Sequence, residues 1–191
     1  MENTNQFMHL TPSEMLALWK KELRLEPVVR DCNIERSDGI DIDAMLTLHI
    51  QQWYAHLLTT APVEWLPIED VKAHVTLTAD DNGVVTATVP AQYVRPIEWQ
   101  LTAWLRPVTQ FLTPDSHEAQ VALDPFTQAG INRPAAIDHG NRLLLISVPA
   151  GTLPTLATAR CVVRPTDGTF TFHHAALATI PHWQPTPPSL L

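Results

Sequence analysis

Apolar residues recur three and four apart over the first sixty positions and alternate with polar ones beyond residue 72. That change of period predicts helices first and strands afterwards. Met15, Leu16, Trp19 and Leu23 form one stripe. Thr11 suits the N-cap, Pro12 the first helical position, and Glu14 completes a T-x-x-E capping box. Pro27 ends this helix near Leu25. Residues 26–40 read as a long connection. Asp41 or Asp43 caps a second helix that runs to about Leu58. Its stripe is broad: Ile42, Met45, Leu46, Ile50, Trp53, Tyr54 and Leu57. Such a helix is well covered, and Pro62 and Pro67 stop it.

Beyond Lys72, "HVTLTA", "DDNG" and "VVTATV" predict a β-hairpin. Residues 94–108, "VRPIEWQLTAWLRPV", read as the next strand. Ile97, Trp99, Leu101, Ala103 and Leu105 then share one face, and Glu98, Gln100, Thr102, Trp104 and Arg106 the other. This sets Trp104, a large ring, on the polar face, where it either packs under a loop or helix or meets a partner. "EAQVAL" reads as a further strand. "PAAI", "DHGN" and "RLLLISV" form a second hairpin, and "ATARCVV", "PTDG" and "TFTFHH" a third. The expected class is α+β: a helical pair over 1–70, then about eight strands in an antiparallel meander over 71–180, as a sandwich or open barrel. A Pro-rich extended tail follows over 181–191.

Composition sharpens this outline. The 191 residues suffice for one good core, and a 17% charged fraction is low enough to suggest a surface partly covered by a partner. Seventeen prolines, spread along the chain, suit many short extended segments. Residues 1–83 hold 14 acidic and 6 basic side chains, a net −8, and residues 84–191 hold 6 of each. Such a chain has no electrostatic footprint for wrapping nucleic acid. No apolar run approaches a membrane span and the N-terminus has no signal-peptide pattern. Cys32 and Cys161 fit neither a zinc pattern nor a disulfide framework, so a cytoplasmic location is expected.

Candidate chemistry is sparse. The nine histidines include no H-x-H strand pair and no H-x-x-x-H helix pair, and the adjacent His173 and His174 face opposite ways in a strand. No metal or other cofactor is expected. Asp38, Asp41 and Asp43 lack the order of a calcium loop and suit turn and cap roles. Asp138 and His139 sit at a hairpin tip and have no partner nucleophile. The chain lacks a nucleophile elbow and a glycine-rich phosphate loop. Four arginines precede proline, at Arg95, Arg106, Arg133 and Arg164. Arg-Pro marks a strand end or an edge, so these arginines belong at the rims of the β domain, acting singly if they bind at all. In the tail, Trp183, Leu190 and Leu191 are apolar, and the prolines suit docking of a polyproline II segment on an aromatic groove, in its own chain or on a neighbouring subunit.

Residues 40–148 add a resemblance. An acidic "DGIDID" enters a helix that ends in "WYAHLL". A strand–turn–strand leads to "VPAQYVRPIEWQLTAWLRPV", followed by "DPFTQAGINRPAA" and "GNRLLLISV". This layout resembles the small neck proteins, or head–tail adaptors, of tailed phages and prophages of gut Bacteroidetes. The resemblance rests on the spacing of "P-x-x-Y", "W-x-R-P-V" and "N-R-P". It implies a helical module joined to a β domain, assembled as a ring below the portal, and a place in the virion neck.

The expected function is therefore non-catalytic: a structural subunit that works by assembly, as a homo-oligomer or with neighbouring neck proteins. Trp104, Arg106, Trp183, Leu190 and Leu191 are the candidate partner-binding residues. The alternative is a β module that binds a small ligand or glycan on the sheet face bearing Trp104. An enzyme built on Asp138, His139 and Arg133 ranks last.

Overall fold

The structure is a computed structural model and describes residues 7–25, 41–80, 83–124, 126–127, 130–148 and 153–184. The chain divides into two compact units, one formed by 1–66 with 165–191 and the other by 67–164. It passes between them at Leu66–Pro67 and again at Arg164–Pro165. This corrects the expected division into 1–70, 71–180 and 181–191: the last strand belongs with the helices. The α+β class, with a helical pair near the N-terminus followed by antiparallel strands, is as expected.

In the first unit, β1 (Phe7–Leu10) precedes α1 (Pro12–Glu22) and α2 (Ile42–Thr60). The capping box of α1 is complete: Thr11 Oγ1 accepts from the Glu14 N–H, and Glu14 Oε2 accepts from the Thr11 N–H at 2.8 Å. Of the two candidate caps of α2, Asp41 is the one used; its Oδ1 accepts from the Ala44 N–H at 3.0 Å. A 3-10 turn, Val63–Trp65, follows. Later in the chain come the strand Phe170–His173, which pairs antiparallel with β1, and the 3-10 helix His174–His182.

The core of this unit is aromatic. Trp53 stands edge-on to Trp19 and to Phe172, with ring centroids 5.4 and 5.3 Å away. Tyr54 packs edge-on to Phe170 at 5.1 Å. Its hydroxyl donates to the Thr171 carbonyl and accepts from the Thr171 N–H, both at 3.1 Å. Both backbone groups of a buried strand residue are thus satisfied by one phenol.

The second unit holds β2 (Ile68–Asp70), β3 (Thr76–Ala79), β4 (Val84–Thr88), β5 (Tyr93–Leu101), α3 (His117–Leu123), β6 (Ala135–Asp138), β7 (Arg142–Ile146) and β8 (Leu156–Val163). Its sheets have the orders β2-β8-β5 and β3-β4-β7-β6. Their inner faces share one core: Trp99 and Leu101 from β5 and Ala159 and Cys161 from β8 meet Val85 and Ala87 from β4 and Leu143 and Leu145 from β7. This is sandwich packing. Both predicted hairpins of this unit form, with Gly83 and Gly140 at φ 76° and 82° in their turns. Only glycine adopts that backbone without a Cβ penalty.

Four readings of the chain are corrected. "EAQVAL" is helical, not extended: Ser116 Oγ caps the Ala119 N–H at 3.1 Å, and Ala119 and Ala122, one helical step apart, are buried against Ile137 and Ile146. That contact also explains why "LLLI" in β7 is apolar on both faces. The third hairpin does not form. β8 pairs with β2 and β5, and Phe170–His173, hereafter β9, pairs with β1 in the other unit. The strand over 94–108 stops at Leu101, where the Trp104 N–H bonds the Leu101 carbonyl in a turn and Val108 returns to bridge Trp99. Finally, β1 and β2 carried too few alternating positions to be read as strands.

Candidate functional site

The Arg-Pro pairs lie where backbone geometry demands them, with one exception. Arg133-Pro134 directly precedes β6, Arg164-Pro165 directly follows β8, and Arg106-Pro107 lies in the return after β5. Arg95-Pro96 instead falls inside β5, at two register shifts against β8. β5 is an edge of its sheet, so Pro96 leaves no inner ladder position without a donor. Burial lowers the Arg95 pKa.

Because the chain turns after Leu101, the common face expected for Trp104 and Arg106 does not exist. Trp104 is 2% exposed and belongs to the sandwich core; its Nε1–H donates to the Ser147 carbonyl at 3.1 Å. It offers no surface to a partner or a glycan. Arg106 points to the outside and lines a cleft of about 580 Å³. Arg133 lines the same cleft, with Gln110, His117, Glu118 and Val121. Two of the four Arg-Pro arginines thus line one cleft. Residues 105–106 lie against 131–132: the Leu105 N–H bonds the Ile131 carbonyl at 3.2 Å, and Arg106 Nε donates to the Asn132 carbonyl. Sequence spacing alone could not bring together two residues 27 apart across an unforeseen turn.

Large apolar side chains surround this arrangement. Leu105 is 73% and Phe126 97% exposed, and Val121, Leu123 and Ile131 are exposed as well. Val121 lines the cleft itself, and Leu105, Leu123, Phe126 and Ile131 lie within two positions in sequence of residues that do.

Arg133 lines the cleft, and neither Asp138 nor His139 does. Asp138 Oδ1 accepts from the Gly140 N–H at 2.8 Å, the turn role. Its carboxylate also stands near the buried Tyr93 hydroxyl without forming a hydrogen bond of ordinary geometry. Burial first and that charge second push the Tyr93 pKa up. The Cys161 thiol, buried in the sandwich, is pushed up to about 12, chiefly by desolvation. Such a thiol is inert at neutral pH.

In the first unit, the His173 and His174 rings do not face apart as expected. β9 ends at His173, so alternation stops there, and the ring centroids are 4.5 Å apart. His173 Nδ1 accepts from the Ala175 N–H at 3.2 Å as a helix cap. Among the described residues there is no group of three or more His, Cys, Asp or Glu placed to hold a metal ion. Likewise no helix among them is long and apolar enough to cross a membrane.

This unit carries a second concavity, a groove of about 420 Å³ between the C-terminal turn of α2 and the 3-10 helix 174–182. Trp53, Trp65, Trp183, Pro62, His56 and His182 are among its walls. Trp53 Nε1–H donates to Thr179 Oγ1 at 2.9 Å, and the Trp183 ring rests 5.2 Å from that of His56. The Trp183 Nε1–H is buried and has no acceptor among the described residues. Leu190 and Leu191 lie outside the described residues. Compared with known proteins, the chain matches no family model, no curated protein and no solved structure.

Proposed function

We propose that this chain is a non-catalytic assembly protein, a head–tail adaptor subunit of the neck of a tailed phage or prophage, working through contacts with copies of itself or with neighbouring neck proteins. The observation that carries the reading is the exposure of Leu105, Val121, Leu123, Phe126 and Ile131, of which Val121 lines the cleft of the β unit and the others lie within two positions in sequence of lining residues. A lone folded domain gains nothing by holding a phenylalanine 97% in water. A subunit whose neighbour covers that ring gains its burial on assembly. The two arginines in the cleft add orientation, since charged groups at an interface fix register more than they add affinity. The helical module followed by a β domain agrees with the layout of the neck proteins that residues 40–148 resemble.

A second reading keeps the cleft and changes the occupant. Arg106, Arg133 and Gln110 suit a small anionic ligand. It no longer involves Trp104, which is buried.

Light scattering and negative-stain microscopy, with the protein alone and with cognate neck proteins, separate the two. Rings or discrete oligomers are the expected result. A protein that stays monomeric at high concentration in both settings would defeat the assembly reading.

A further inference from the structure

The groove of the helical unit has two part-exposed indoles, Trp65 and Trp183, and Pro62 among its walls, and it also touches the buried Trp53. Flat aromatic walls and few acceptors suit one kind of peptide. A polyproline II segment presents prolyl rings that stack on indole faces and carbonyls that need donors, and it is ordered before it binds.

The chain itself holds a matching segment. Its last seven residues, "PTPPSLL", contain Pro185, Pro187 and Pro188 and no charge. They begin two positions after Trp183, which is a wall of the groove. Trp183 has extended backbone, φ −68° and ψ 124°. Gln184, standing before Pro185, is also biased to extended geometry.

We infer that the tryptophan groove binds residues 185–191 of a second copy, so that each subunit gives a proline-rich segment to the next. The groove's chemistry stands independently of the neck reading; the choice of a second copy as donor rests on it. A segment given head-to-tail is a heterologous contact, which closes into rings when the rotation permits.

The test uses a synthetic peptide of residues 184–191 and the full chain carrying Pro185→Ala, Pro187→Ala and Pro188→Ala, whose own segment competes weakly. Sedimentation velocity of the wild type should show self-association that changes little between low and high salt, because the segment has no charged side chain. The proline variant should lose that association, bind the peptide, and shift its tryptophan emission on binding. Trp65→Ala, added to the proline variant, should weaken the peptide at least tenfold, as loss of an aromatic hot spot does. Ala178→Arg, which fills the groove from an exposed position, serves the same purpose if the Trp65 variant unfolds. A folded proline variant that ignores the peptide overturns the groove assignment. A monomeric wild type whose proline variant binds the peptide overturns the second-copy donor. Undiminished assembly of the proline variant also overturns the inference, while leaving the neck reading standing.

Discussion

The Trp104 indole N–H meets the Ser147 carbonyl at 3.1 Å inside the β sandwich. Trp104 follows the turn that ends β5, and Ser147 follows the last residue of β7, so the bond joins the ends of strands from different sheets. Ser147 has φ 82°, a conformation that a residue other than glycine adopts rarely. The bond therefore satisfies a carbonyl in a bend that strand pairing cannot serve.

Replacing Trp104 should show the two parts of its role. Trp104→Phe keeps most of the buried ring but removes the hydrogen bond to the Ser147 carbonyl, which costs about 1 kcal/mol. Trp104→Ala also opens a cavity, and losses of about 3–5 kcal/mol are typical of that change. Urea denaturation of the two variants measures both. Equal losses would mean that the hydrogen bond alone matters at this position, and a Phe variant as stable as wild type would mean that packing alone does.

The buried Cys161 thiol predicts how stability falls in alkali. Its pKa is raised from 9.0 to about 12 by folding. The folded form holds its proton while the unfolded form releases it, so stability is intact below pH 9 and declines from there until the folded thiol ionises. Within that window the folding equilibrium should weaken by up to about tenfold per pH unit from this group. Tyr93, also shifted upward, adds a loss above its ordinary value of 10.0. Denaturation midpoints of the wild type and of Cys161→Ala, taken from pH 8 to about pH 11, should converge as pH rises. Parallel curves would remove Cys161 as the cause.

Local chemistry made much of this fold legible and tertiary choices hid the rest. Thr11, Pro12 and Glu14 define the start of α1 through bonds among neighbours, and the structure repeats them. Both hairpins of the β unit were readable because their turns need Gly83 and Gly140. "EAQVAL" was misread since six residues of mixed polarity fit either period; the burial of Ala119 and Ala122 on β6 and β7 decided it. The turn after Leu101 contains neither glycine nor proline, so nothing local announced it. Missing that turn misplaced Trp104 and separated Arg106 from Arg133. The three tryptophans of the groove were visible as residues but not as a set, because Trp183 meets Trp53 and Trp65 through long-range packing of the 3-10 helix 174–182 that no local pattern announces.

The two ends of α1 should respond to substitution with opposite signs. Thr11→Ala removes the capping hydroxyl and should cost about 1 kcal/mol. Arg24, just past the C-cap Leu23, has φ 57°, and its N–H bonds the Lys21 carbonyl at 3.0 Å. A left-handed residue after a helix is the position at which glycine is preferred. Arg24→Gly should therefore stabilise by about 1 kcal/mol, the order of the left-handed penalty it removes. Thermal denaturation gives both signs, and a destabilised Arg24→Gly would show that the arginine side chain outweighs its backbone.

Phe126 gives the sharpest contrast between stability and association. A buried phenylalanine replaced by a polar residue costs several kcal/mol, but at 97% exposure there is little packing to lose. Phe126→Asp should leave the denaturation midpoint of the isolated chain within about 0.5 kcal/mol of wild type. At the same time it places an unpaired charge where a neighbouring subunit would cover the ring, which costs affinity steeply. Oligomers seen by sedimentation should then dissociate at protein concentrations where the wild type holds together. The Phe126 backbone N–H bonds Asp124 Oδ1 at 2.8 Å, and no side-chain substitution at 126 removes that donor, so the local turn stays in place. Dissociation with unchanged stability identifies the ring as a contact between molecules; unchanged association identifies it as surface that no partner covers.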